Sequence, residues 1–121
     1  MAEAERHWAE PRWVRYKKHL PPQGIAWKEL VAETGESGGE AYYRHRMSEG
    51  EHRRIETECI TPERLFRETG HKRMYYMDME KLVGASAGQE TNFLYVEYLS
   101  SGEVHGRPIT VDELRRKGAN L

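Results

Sequence analysis

Cysteine is almost absent: Cys59 is the single thiol in 121 residues. That excludes an intramolecular disulfide and a cysteine-based zinc site, and it fits a reducing compartment. An excess of one charge is lacking too. Nineteen Lys and Arg stand against twenty Asp and Glu, for a formal net charge of −1. No global field draws the chain to DNA, RNA or an anionic membrane, so a nucleic-acid contact would need a local patch. Long apolar runs are missing, and nothing approaches the roughly 20 residues of a membrane span. The charged first ten residues hold no apolar stretch of the secretory kind, so a cytoplasmic location without a membrane contact is expected. Walker-type and dinucleotide-binding glycine patterns are absent. The six histidines are scattered without an HExxH motif. Neither a cofactor nor a metal is therefore called for.

What is present is a polar chain with a large aromatic share. Charged residues make up 32% and hydrophobic ones 37%, with three Trp, seven Tyr and two Phe. That aromatic area is more than long disordered segments carry. The length suits one domain, with a helical N-terminal part over residues 1–35 and a sheet with short helices over residues 40–121.

Periodicity divides the chain further. From Pro11, the residues Trp13, Tyr16 and Leu20 fall on one helical stripe, ended by Pro21-Pro22-Gln23-Gly24. A second helix is predicted over residues 25–34, with Trp27, Leu30, Val31 and Thr34 on its buried side and Gly35 as the stop. Residues 41–47 and 51–60 flank Ser48-Glu49-Gly50 and read as a β-hairpin. Thr61-Pro62 then opens a short helix that Gly70 ends. A strand over 73–79 and a small-residue loop over 84–91 follow. The strand over 92–99 is apolar on both faces and is expected to be central. Ser100-Ser101-Gly102 turns it into a strand over 103–109, where Pro108 marks an edge. Thr110 and Glu113 form a capping box for a terminal helix.

The predicted fold class is α+β: an antiparallel sheet of about five strands with N-terminal and C-terminal helices packed on one face. The same order of elements is similar to that of a cystatin-like or NTF2-like cone, a shape that encloses a pocket. The likeness is one of element order alone.

Two constellations stand out chemically. In the predicted hairpin, Tyr42, Arg44, Arg46, His52 and Arg54 share a face that could bind an acidic protein partner or hold phosphates and stack a base. Nearby glutamates and the balanced overall charge make a merely solvated face the simpler account. The second set follows from the turn at residues 100–102, which places Glu97 opposite His105 and Tyr95 opposite Arg107. A carboxylate beside an imidazole can raise its basicity, as general-base work needs. A plain cross-strand contact is the commoner use of such a pair. Gly84-Ala85-Ser86-Ala87-Gly88 spells a nucleophile elbow but lacks its strand–turn–helix setting. Asp78 and Glu80 read as a turn cap rather than a cation site, and Cys59 as a buried thiol. The three tryptophans mark either core or a partner groove.

The expected function is a small non-enzymatic interaction module that binds another protein in an accessory, regulatory or inhibitory role. The alternative is a small pocket enzyme or ligand-binding protein using Glu97 and His105. A nucleic-acid-binding module ranks third.

Overall fold

A computed structural model describes residues 8–14 and 18–121. Its main sheet is built around β7 (Phe93–Leu99), the strand whose two faces are both apolar. Antiparallel neighbours flank it: β4 (Lys72–Asp78) on one side and β8 (Glu103–Ile109) on the other. Beyond β4 lies β3 (Leu65–Glu68), and beyond β8 the two-residue β1 (Arg12–Trp13) runs parallel to it. The five-stranded order is β1-β8-β7-β4-β3. A second, three-stranded sheet joins β2 (Tyr42–Tyr43), β5 (Gly84–Ser86) and β6 (Gln89–Thr91) in the order β2-β5-β6.

Alternation along β7 explains how the helices are placed. Leu94, Val96 and Tyr98 point one way, into a core with Ile55 and Cys59 of α2 (Glu49–Cys59) and with Tyr43, Tyr75 and Val104. Phe93 and Tyr95 point the other way, against Met74, Ile109 and Leu114 of α3 (Val111–Arg116). The two helices therefore cover opposite faces of the sheet, not one face as the sequence suggests. The remaining helix, α1 (Trp27–Thr34), buries Leu30 and Thr34 and belongs to the smaller sheet. There Thr34 Oγ1 accepts from Gly88 N at 2.8 Å, and Trp27 Nε1 donates to Glu90 at 2.6 Å.

The predicted hairpin at residues 41–60 is not formed. Ser48, read as its turn, is the N-cap of α2, and its hydroxyl accepts from Glu51 N at 3.1 Å. His52, Ile55, Glu56 and Cys59 are then buried at the i, i+3, i+4, i+7 spacing of a helix. Tyr42 and Tyr43 pair with Ala85 and Gly84 instead. At Gly84 any side chain would collide: a Cβ would lie 2.3 Å from Tyr42 O and 2.5 Å from Pro108 Cγ. That glycine lets the smaller sheet approach β8.

Other predicted elements change as well. Residues 84–91, read as a loop, are the β5–β6 hairpin. The helix expected from Thr61 is a 3-10 turn at Pro62–Arg64 that runs directly into β3. In the predicted first helix, the described residues hold β1 and no helical turn, while Arg15, Tyr16 and Lys17 lie outside the described residues. The capping box of the terminal helix forms as expected, with both Thr110 and Glu113 engaged.

Candidate functional site

Among the described residues β1 pairs with β8 at Glu103 and Val104, and the smaller sheet meets it at Arg107 and Pro108. Between them, at His105-Gly106-Arg107, the edge of β8 opens into a cavity of about 640 Å³. Because side chains alternate along β8, the cavity draws on both faces of the sheet. Tyr95, Glu97, His105 and Arg107 reach it from one side, and Trp13, His52 and Glu56 from the other.

The wall on the α2 side is centred on Glu56, whose carboxylate is 1% exposed. Trp13 Nε1 donates to its Oε1 at 2.8 Å, while the Tyr43 hydroxyl donates to Oε2 at 2.5 Å. His52 Nδ1 donates to the same Oε2 at 2.8 Å. A buried carboxylate needs such donors, because its charge is otherwise stranded from water. Gly106 leaves the room: a Cβ there would sit 2.2 Å from Glu56 Cδ. Burial, followed by the Glu56 charge, holds the Tyr43 phenol well above its ordinary value.

The opposite wall is centred on Arg107. Its Nη1 donates to Pro108 O at 3.0 Å and to Ser86 Oγ at 3.3 Å, and lies 3.7 Å from Glu113 Oε2. Ser86 in turn donates to Glu113 Oε1 at 2.7 Å. Burial would raise the Glu113 carboxyl, but hydrogen bonds from Ser86 and Thr110, with the Arg107 charge, outweigh it and the net shift is downward. The guanidinium stands 5.5 Å from the Tyr95 ring centre, and Lys117 Nζ 5.0 Å from it. Every bond Arg107 makes to the described residues runs through Nη1, so its Nε–Nη2 edge is uncommitted among them.

His19 completes the enclosure. Its Nδ1 lies 2.8 Å from Ala41 O, and its own carbonyl accepts from Tyr43 N at 2.8 Å. A carbonyl only accepts, so Nδ1 carries the proton. Burial lowers the imidazole pKa, and the Ala41 bond and Glu40 counter that only in part. At the rim, Lys18 and Glu40 form an ion pair at 3.3 Å.

Glu97 and His105 are register partners, as the turn predicts, and both line the cavity. Their side chains take other partners, however. Glu97 accepts from the Tyr95 hydroxyl at 2.5 Å and lies 3.6 Å from Lys72 Nζ. His105 Nε2 turns to Glu103 at 3.2 Å. The set Tyr42, Arg44, Arg46, His52 and Arg54 is not one face, because its second half is helical. Tyr42 lies on β2, and Arg44 is tied to Glu51. Arg46 is exposed at φ 68° and Arg54 pairs with Glu58 at 3.0 Å, whereas His52 is buried beside Glu56.

Among the described residues Ser86 bonds to Glu113 and Arg107 and to no histidine, so the elbow letters gain no catalytic base there. Asp78 accepts from Glu80 N at 2.8 Å and caps its turn. Among the described residues no cluster of His, Cys, Asp and Glu is arranged to hold a metal, and no helix is long and apolar enough to cross a membrane. Sequence reasoning missed His19, the His52–Glu56 pair and the Ser86–Glu113–Arg107 chain. Only His52–Glu56 left a signal, the i, i+4 spacing of a helix. Comparison with known proteins finds no matching family model, no matching curated protein and no matching solved structure.

Proposed function

We propose that the chain is a ligand-binding protein that takes a small organic acid into the cavity at the β8 edge. One observation carries this reading: among the described residues Arg107 is held through Nη1, which leaves the Nε–Nη2 edge for a ligand. That edge is a planar fork matched to the two oxygens of a carboxylate, a strong and directional pairing. Because Ser86, Pro108 and Glu113 fix the guanidinium beforehand, little ordering cost falls on binding. A volume of about 640 Å³ lies within the usual size of small-molecule sites. Tyr95 and Trp13 add aromatic surface for the body of the ligand. Docking of another protein through the arginine and tyrosine set has less support, since Arg44 and Arg54 line one groove but are paired with Glu51 and Glu58, and His52 is buried.

The test is a thermal-shift panel of small mono- and dicarboxylic acids on the wild type, Arg107→Lys and Arg54→Gln. Lysine keeps the charge but loses the fork. An acid present at a hundred times its Kd stabilises by about 2.7 kcal/mol. At least one acid is expected to stabilise the wild type and Arg54→Gln alike, with its affinity about tenfold weaker in Arg107→Lys. A panel in which no acid stabilises, or in which Arg107→Lys binds as well as wild type, overturns the reading.

A further inference from the structure

We infer that Lys117 is a second anion contact in the cavity, so that the acid held by Arg107 is a short-chain dicarboxylate with its second carboxylate on the Lys117 ammonium. This inference rests on the reading of the cavity given above and narrows the ligand class.

The Tyr95 ring brings the two cations together. The Arg107 guanidinium stands 5.5 Å from its centre and Lys117 Nζ 5.0 Å from it, and both side chains line the cavity. Measured from one point, those distances limit the separation of the two charges to what one small ligand spans. Two like charges beside one ring repel each other, and the quadrupole of the ring offsets that only weakly. Arg107 has Glu113 as its counter-ion, at 3.7 Å. Lys117 makes no ion pair among the described residues, although Glu113 lies four positions before it, the spacing and direction that favour a helical Glu–Lys pair. Glu113 turns instead to Ser86, Thr110 and Arg107. The lysine is left facing the ring and the cavity.

Helix α3 does not need that lysine for its own end. Arg115 and Arg116 already place positive charge in the last turn and stay exposed, whereas Lys117 is half-buried. Its backbone is pinned: the carbonyl accepts from Arg67 Nη1 at 3.0 Å, and the N–H donates to Glu113 O at 3.1 Å. The side chain thus starts from a fixed point and ends over Tyr95. The other carboxylates of the cavity are placed elsewhere. Glu40 pairs with Lys18 at 3.3 Å, and Glu97 lies 3.6 Å from Lys72. Glu56 is held by Trp13, Tyr43 and His52, and Glu36 is exposed to water, which screens it. A ligand with one carboxylate on Arg107 and a second on Lys117 supplies the missing anion. Both contacts are then charge-assisted hydrogen bonds, the strong kind.

The matched probes are malonate, succinate and glutarate, each compared with its half-amide, in which one carboxylate becomes an uncharged amide of nearly the same shape. Affinities are measured by calorimetry on the wild type, Lys117→Gln and Arg54→Gln. In wild type at least one diacid is expected to bind about tenfold tighter than its half-amide, the size of one charge-assisted hydrogen bond. In Lys117→Gln that diacid should fall to the level of the half-amide while the half-amide is unchanged, and Arg54→Gln should behave as wild type. A preference retained in Lys117→Gln would overturn the inference. So would a preference lost in Arg54→Gln as well, since the general field of the protein would then be its source. If monocarboxylic acids of the panel bind and no diacid gains on its half-amide, the dicarboxylate class fails and the carboxylate reading stands. If no acid binds at all, both fall. Should Lys117→Gln not fold, carbon-13 NMR of Lys117 Cε in the wild type decides. That signal should shift with the diacid and not with the half-amide, and an unmoved signal contradicts the inference.

Discussion

Glu56 is the most consequential single residue in this molecule, because its carboxylate is both buried and answered. Glu56→Gln replaces one accepting oxygen with an amide NH2 that faces a donor. The expected loss is about 3 kcal/mol in urea unfolding, the range for breaking a buried charged pair. Gly106→Ala forces the same carboxylate aside and should cost about 2 kcal/mol by overpacking. The two are in contact, so the cost of Gly106→Ala should largely vanish in a Glu56→Ala background, and additive costs would contradict the contact. Cys59 gives a different readout. It is fully buried, and desolvation pushes its thiol up to about 12, so a disulfide reagent at neutral pH should leave it unlabelled until the protein unfolds.

Acid stability also belongs at this scale. The folded pKa of His19 lies below its ordinary 6.5. As pH falls through 6.5 the unfolded chain takes up a proton that the folded chain refuses, so stability drops over that window. His19→Asn should flatten that limb of the stability–pH curve. Glu113 acts lower down: its folded pKa is depressed below 4.5, so its contribution is intact above 4.5 and lost as pH falls through the folded value. None of these side chains was legible as a site in the sequence. The polar identity of His52 and Glu56 disguised a buried stripe, and His19 becomes cavity-facing only through a hydrogen bond to Ala41.

Among the elements, the long ones were readable and the short ones were not. β7, β8 and their register follow from an apolar run, a Ser-Ser-Gly turn and strict alternation, and the structure pairs Glu97 with His105 and Tyr95 with Arg107 accordingly. The terminal capping box was equally plain. Residues 48–59 carry a helical period as well as the alternation from which a hairpin is read. The Ser48–Glu51 spacing is itself a helix-start signature, and the helix wins because Ser48 caps it while Ile55 and Cys59 reach the β7 face. Ser48→Ala should therefore cost about 1 kcal/mol of stability in chemical denaturation. No measurable cost would argue against the cap. β1, β2, β5 and β6 are two or three residues each, too short for any period to show.

At the level of the whole molecule, the cavity lies where the two sheets meet along β8. A single-sheet reading finds the partners across β7 and β8 but not the wall that α2 supplies, nor the contact of the smaller sheet at Gly84 and Pro108. An α+β chain with a five-stranded sheet was foreseeable. A gap between sheets built from two-residue strands was not. The central claim is that this gap receives an acid on the open edge of Arg107, and the side-chain Nε–H resonance of Arg107 reports on it directly. Titrating a stabilising acid from the panel into nitrogen-15-labelled protein should move that resonance downfield, with accompanying backbone shifts at His105, Gly106 and Ser86. An unmoved Arg107 signal, with shifts gathered instead on the outer surface of α2, would contradict the account.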